Sequence, residues 1–106
     1  MLKYIKKLLF LPSITGKKAI EKVNDKSCKL LDVRGINERK NNYIEGSLHI
    51  PVGELKVRLN ELVKYKNQGI IVYCASGIRS RMATRILISN GFNSFNLKGG
   101  INSYFK

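Results

Sequence analysis

Two short stretches hold residue types from which chemistry can be built: Cys74-Ala75-Ser76-Gly77-Ile78-Arg79-Ser80 and Asp32-Val33-Arg34. Cys74 directly follows the apolar run Gly69 to Tyr73 and precedes small residues, after which Ile78, Met82, Ala83, Ile86 and Leu87 recur at the spacing of one helical face. A strand that ends in Cys and curls through small residues into a helix aims several backbone N–H groups at one point, none with an intrahelical partner. The helix adds partial positive charge there, so an anion belongs at that point. A thiol held in this position is favoured as thiolate, and Cys74 is expected to titrate below the free value of about 8.5 and to act as a nucleophile. Gly77 allows the tight curl, and Arg79 supplies a planar cation for a second anionic group. The competing structural readings are a core cysteine for Cys74 and a surface or helix-pairing arginine for Arg79. The place of Cys74 between GIIVY and Ala-Ser-Gly speaks against the first.

The elements that must position these groups are legible as alternating strands and helices. Lys29 to Val33 and Gly69 to Tyr73 are short, continuously apolar runs of the kind found in buried parallel strands. Ser47 to Ile50 and Phe92 to Leu97 are two further candidate strands. Thr15 can cap a helix through about Val23, with Ala19, Ile20 and Val23 on its inner face. Leu55, Leu59, Leu62 and Val63 predict a helix within Gly53 to Tyr65, and the helix after Cys74 should stop at Asn90-Gly91. Gly99-Gly100 leads into a short terminal helix through Tyr104. The pattern predicts an α/β domain whose mostly parallel sheet carries helices on both faces, with ligands beyond the carboxyl ends of the strands.

The chain has 106 residues, 43% of them hydrophobic, enough for one domain with its own core. Residues 14–106 are read as that domain and residues 1–13 as a separate amphipathic segment. In the latter, Leu2, Ile5, Leu8 and Leu9 fall opposite Lys3, Lys6 and Lys7 before Pro12. Such a segment packs on the domain or a neighbouring chain; peripheral contact with an anionic membrane surface is the alternative. No apolar stretch approaches the roughly 20 residues of a membrane-spanning helix, and the run Leu8 to Leu11 is too short for a secretory signal. Two cysteines, Cys28 and Cys74, make no disulfide framework, and with a single His they argue against a closed structural zinc site. A reducing, cytoplasmic setting is expected. Twenty Lys and Arg against seven Asp and Glu give a net charge of +13. That excess reflects background composition or concentrates a small anion. Nucleic acid is not the expected partner, because the aromatic residues fall mostly where strands or core should be.

Four separated motifs resemble those of the single-domain rhodaneses, sulfurtransferases that carry sulfane sulfur as a persulfide on a cysteine. They are Leu30 to Arg34 (LLDVR), Tyr43 to Pro51 (YIEGSLHIP), Cys74 to Ser80 and Leu97-Lys98-Gly99-Gly100 with Tyr104. The resemblance runs from about Leu30 to Tyr104. Tyr43 stands where the family commonly has His, Ser47 where it has Ala, and Tyr104 where it has Trp; none of these touches the Cys loop. The resemblance implies a single three-layer rhodanese-like domain. It implies that Cys74 takes sulfur from a small anionic donor such as thiosulfate and passes it to cyanide or a thiol, including a protein thiol. No metal or organic cofactor is implied.

In this reading the amides of Ala75, Ser76, Gly77, Ile78, Arg79 and Ser80 hold the persulfide, and Arg79 binds the donor's sulfonate. Arg34 is a candidate for substrate contact, with an ion pair to Asp32 that pins the loops as the structural alternative. Glu38 is expected to cap a turn or pair with an arginine. His49 reads as a satisfied strand residue, and Cys28, before the amino end of an interior strand, as inert. Cysteine phosphatases and arsenate reductases share the loop logic but place Arg six positions after Cys, whereas here Arg79 is five after Cys74 and position six is Ser80. A non-catalytic docking module of the same family is the other alternative; such modules generally lose the Cys that this chain keeps.

Overall fold

The computed structural model describes residues 11–105, and the Met1 to Phe10 part of the amphipathic segment lies outside them. The elements run β1 (Ser13–Ile14), α1 (Gly16–Asn24), β2 (Cys28–Asp32), α2 (Ile36–Asn41), β3 (Leu48–His49), 3₁₀ segments at Val52–Val57 and Leu59–Tyr65, β4 (Gly69–Tyr73), α3 (Ile78–Ser89), β5 (Asn93–Leu97) and α4 (Ile101–Tyr104). The five strands form one sheet in the order β1-β5-β4-β2-β3, and every pairing is parallel.

Alternation along the strands divides the core in two, since successive side chains of a strand point to opposite faces. Leu31, Val33, Ile70 and Val72 pack with Leu55, Leu62, Ala83 and Leu87 from the 3₁₀ segments and α3. Leu30, Ile71 and Tyr73 pack on the other face with Ala19 of α1 and Ile101 of α4. Because both faces are covered, all five residues of β4 are buried, which is why GIIVY carries no polar residue short of Tyr73. The molecule is therefore three-layered, with the sheet in the middle. The cap on α1 is as expected: Thr15 accepts a hydrogen bond from the Lys18 amide at 3.2 Å.

Two helical expectations are corrected. Gly53 to Tyr65 is not one helix but two 3₁₀ segments, interrupted where Arg58 adopts φ −119° and ψ 15°. Leu55 and Leu62 are each buried against the sheet, one per segment. Between them Arg58 is clasped by Glu54 at 3.1 Å and Glu61 at 2.7 Å. The inner face of α3 is also rotated from the apolar stripe: Ile78 and Met82 are 76% and 55% exposed, while Ser80, Ala83, Thr84 and Leu87 are buried. The two hydroxyls tolerate burial because each is hydrogen-bonded, Thr84 donating to the Ser80 carbonyl at 2.7 Å and Ser80 to Asn96.

β4 leads through α3 to β5 on one side, and its neighbour β2 leads through α2 to β3 on the other. Adjacent parallel strands whose connections diverge leave a crevice beyond their carboxyl ends. Asp32 and Tyr73 are register partners at that edge. The two stretches singled out by residue type, Asp32 to Arg34 and Cys74 to Ser80, thus emerge side by side.

Candidate active site

Cys74 is 1% exposed and ends β4 at the base of a loop that turns into α3. The turn is made by Gly77, whose φ of +111° lies in the region that side chains disfavour. With that turn, the Gly77 amide donates to Cys74 Sγ at 2.9 Å, and the Ser80 hydroxyl lies 3.4 Å from the same sulfur. Burial pushes the Cys74 thiol up, but hydrogen bonds from the Ser80 hydroxyl and from the amides of Ser80, Gly77 and Ser76 outweigh it, and the group titrates below its ordinary value. The first turn of α3 thus solvates a sulfur anion with donors that have no intrahelical use.

Behind the sulfur, Ser80 Oγ lies 2.5 Å from Asn96 Oδ1 and 3.1 Å from the Gly77 carbonyl, so its single proton has several acceptors in reach. From below, the Ile101 amide donates to the Cys74 carbonyl at 2.9 Å. Gly100 makes that approach possible: a Cβ on it would stand 2.1 Å from the Ala75 carbonyl oxygen. This close packing is the physical content of the Leu97 to Gly100 motif.

Arg79 crosses the crevice to Glu38 of α2. Its two terminal nitrogens donate to the two carboxylate oxygens at 2.6 and 2.8 Å, a bidentate fork in which both side chains remain partly exposed. Glu38 also accepts from the Gly35 amide at 3.1 Å, which caps α2. The pair with Arg79 and this amide bond hold the Glu38 carboxyl down at about 2, and Glu38 in turn raises the Arg79 guanidinium, which also feels the charge of Cys74.

Arg34 is 3% exposed and committed inward. It donates to both Asp32 oxygens at 3.0 and 2.9 Å, to the Asn42 side chain at 3.2 Å and to the Asn42 carbonyl at 2.7 Å. Burial pushes the fully buried Asp32 carboxyl up, but the hydrogen bonds and charge of Arg34 outweigh it and hold the group below its ordinary range. Arg34 thus occupies the strut position, not the mouth of the Cys loop. Arg39 extends the strut, donating to the Ser47 hydroxyl and carbonyl at 2.8 Å each, while the Tyr73 hydroxyl accepts from the Ile44 amide at 3.1 Å.

Local sequence assigns no site role to Arg39, Asn42, Tyr73 or Asn96, and Ser47 stands out only as a departure from the resembled motif. Tyr73, which closes the fully buried apolar run of β4, gave the available signal. His49 Nε2 is spent on the Arg34 carbonyl at 2.8 Å. Cys28 packs on the opposite face of the sheet from Cys74 and at the opposite end, where it is the register partner of Gly69. Both cysteines are free, and burial pushes the Cys28 thiol up. Among the described residues no His, Cys, Asp and Glu cluster could hold a metal ion, and no helix is long and apolar enough to cross a membrane.

Residues 15–106 match the model of the rhodanese-like domain. The putative sulfur carrier protein YrkF of Bacillus subtilis is 42% identical over 77% of the chain, which spans less than half (44%) of that protein's length. Thiosulfate sulfurtransferase PspE of Escherichia coli is 32% identical over 67% of this chain and 68% of its own. The crystal structure of a rhodanese-related protein from Thermoplasma volcanium superposes with a TM-score of 0.80 at 32% identity, covering 89% of this chain and 90% of that one. A parallel three-layer domain with a cysteine cradled at a strand-to-helix turn, matched by that family model over nearly its whole described length, belongs to the rhodanese-like family.

Proposed function

We propose that the chain is a sulfurtransferase that works through a persulfide on Cys74. The observation that carries this reading is the cradle: a buried sulfur 2.9 Å from the Gly77 amide, titrating below its ordinary value at the start of α3. In the first half-reaction the Cys74 thiolate attacks the outer sulfur of a donor such as thiosulfate. A bond forms between Sγ and that sulfur, the donor's sulfur–sulfur bond breaks, and sulfite leaves with the electron pair. In the second, an acceptor thiolate or cyanide attacks the outer sulfur of the persulfide and Cys74 departs as thiolate. One nucleophile is used twice, and the loop that solvates the thiolate also makes it a good leaving group. The amides of Ser76, Gly77 and Ser80 hold the charge at each stage, Arg79 and Glu38 form the rim, and Asp32 and Arg34 fix the neighbouring loop.

Cys74→Ser tests the reading, because serine matches the volume but is not a comparable nucleophile near neutral pH. The variant is expected to keep the fold and lose thiosulfate-to-cyanide transfer altogether. The unmodified protein treated with thiosulfate should gain about 32 Da, one sulfur atom, on the Cys74 peptide. Substantial transfer by the variant, or sulfur mapped to Cys28, would overturn it.

A further inference from the structure

The outward face of α3 is as organised as its inward one. With about 100° between successive residues of a helix, the buried positions Ser80, Ala83, Thr84 and Leu87 form one side. Ile78, Arg81, Met82 and Arg85 form the other, and all four are exposed. Two large apolar side chains one turn apart, flanked by two arginines one turn apart, begin at the residue that follows Gly77, whose amide holds the sulfur. The helix has no acidic residue. Across the rim, the Arg79–Glu38 pair ties in the start of α2, where Ile36 is 62% exposed.

Apolar side chains clustered and exposed beside a nucleophile mark a surface that another molecule covers. The charge selects that molecule. A second copy of the chain brings a net charge of +13 against the same arginines, so self-association is opposed. Cyanide and small thiols are too small to need a helix-long surface. Single-stranded nucleic acid is held by basic grooves with aromatic stacking platforms, and this face has none. What fits arginines interleaved with Ile and Met is a protein segment with carboxylates and an apolar anchor.

Resting on the sulfur-transfer reading, we propose that the exposed face of α3 docks the sulfur acceptor, an acidic protein segment whose thiol lies beside an apolar residue. The arginines draw the segment in, Ile78 and Met82 seat its apolar side chain, and its thiolate meets the persulfide at the adjoining loop. Transfer follows the second half-reaction above, the new persulfide forming on the partner as Cys74 is released.

The test uses thiosulfate-loaded protein and two synthetic peptides, each with one Cys next to Leu, one carrying glutamates and the other lysines at the same positions, with cyanide as a small acceptor. Transfer to the glutamate peptide should be about tenfold more efficient than to the lysine peptide, an advantage that shrinks with salt. Arg81→Glu with Arg85→Glu should reverse the order of the peptides and change transfer to cyanide far less than transfer to either peptide. Met82→Ser should weaken both peptides several-fold at any salt. Equal efficiency for the two peptides, or a reversal variant that behaves as the unmodified protein, would overturn the proposal. So would unmodified tRNA that displaces a fluorescent Cys→Ser glutamate peptide and binds more tightly than it. If that peptide binds in an Arg81- and Arg85-dependent way while thiosulfate loads no sulfur on Cys74, the docking face stands and the sulfur-transfer reading falls.

Discussion

At the scale of single residues the decisive contact is Arg79 with Glu38. Spacing alone offers Arg79 to an incoming sulfonate, but in the folded chain its fork is already filled by a carboxylate at 2.6 and 2.8 Å. An anionic donor must compete for the same donors or settle for an outer position. Removing the competitor should therefore help it: Glu38→Gln is expected to lower the KM for thiosulfate several-fold. The amide oxygen can still accept from Gly35, so α2 stays capped. Arg79→Ala leaves Glu38 unpaired at the mouth and should raise the KM about tenfold to a hundredfold, the worth of a charge-assisted hydrogen bond of about 1.5 to 3 kcal/mol. An uncharged polysulfide donor should feel both changes less. Glu38 titrates at about 2, depressed from 4.5, so the pair is intact at every pH above about 5 and is lost only as pH falls through about 2. The difference between Glu38→Gln and the unmodified protein should accordingly be flat between pH 5 and 8. Equal losses for charged and uncharged donors on Arg79→Ala would mean that the pair shapes the loop without recognising the anion.

At the scale of elements, what the sequence made legible was what periodicity and local chemistry encode. β2 and β4 read as buried parallel strands because both faces of each are covered, and α1 and α3 read from their caps and stops. α3 ends as expected, with the amide of Phe92 returning to the Leu87 carbonyl at 3.0 Å across Gly91, whose φ is +85°. β1 was invisible because two residues show no period; Ser13 and Ile14 are a strand only because Asn96 and Leu97 lie beside them. α2 was missed for the opposite reason: it buries no residue and owes its position to ion pairs and hydrogen bonds from Glu38 and Arg39. In the site, Cys74 and its loop were readable because the chemistry is local. Asn96 and the Gly100 contact were not, because they come from strands and turns distant in sequence. That contact carries a prediction. A methyl group on Gly100 would stand 2.1 Å from the Ala75 oxygen and 2.9 Å from the Cys74 oxygen, at a φ of +70°. Gly100→Ala should destabilise the fold by about 2 to 4 kcal/mol in denaturant titrations and slow Cys74 alkylation at neutral pH, since the loop must shift. A variant with unchanged stability and thiol reactivity would show that the loop does not depend on this support.

At the scale of the whole molecule the net charge of +13 meets a site whose own cation is neutralised. Any attraction of an anionic donor must then come from the summed field of many lysines and arginines and not from Arg79 alone. A distributed field acts over distances comparable to the Debye length, about 10 Å at 0.1 M salt, and is screened as salt rises. The kcat/KM for thiosulfate, a dianion, should fall several-fold between about 0.02 and 0.2 M salt, while that for an uncharged organic polysulfide changes little. The two origins of the field can be separated by variants. Glu38→Gln adds one unscreened charge at the rim and should raise efficiency while keeping most of the salt slope. Reversing Arg81 and Arg85, on the exposed face beside the loop, should flatten the slope for thiosulfate and leave the neutral donor where it was. A thiosulfate rate independent of salt, or a slope shared equally by the neutral donor, would mean that the excess charge has no part in bringing substrate to Cys74 and serves solubility alone.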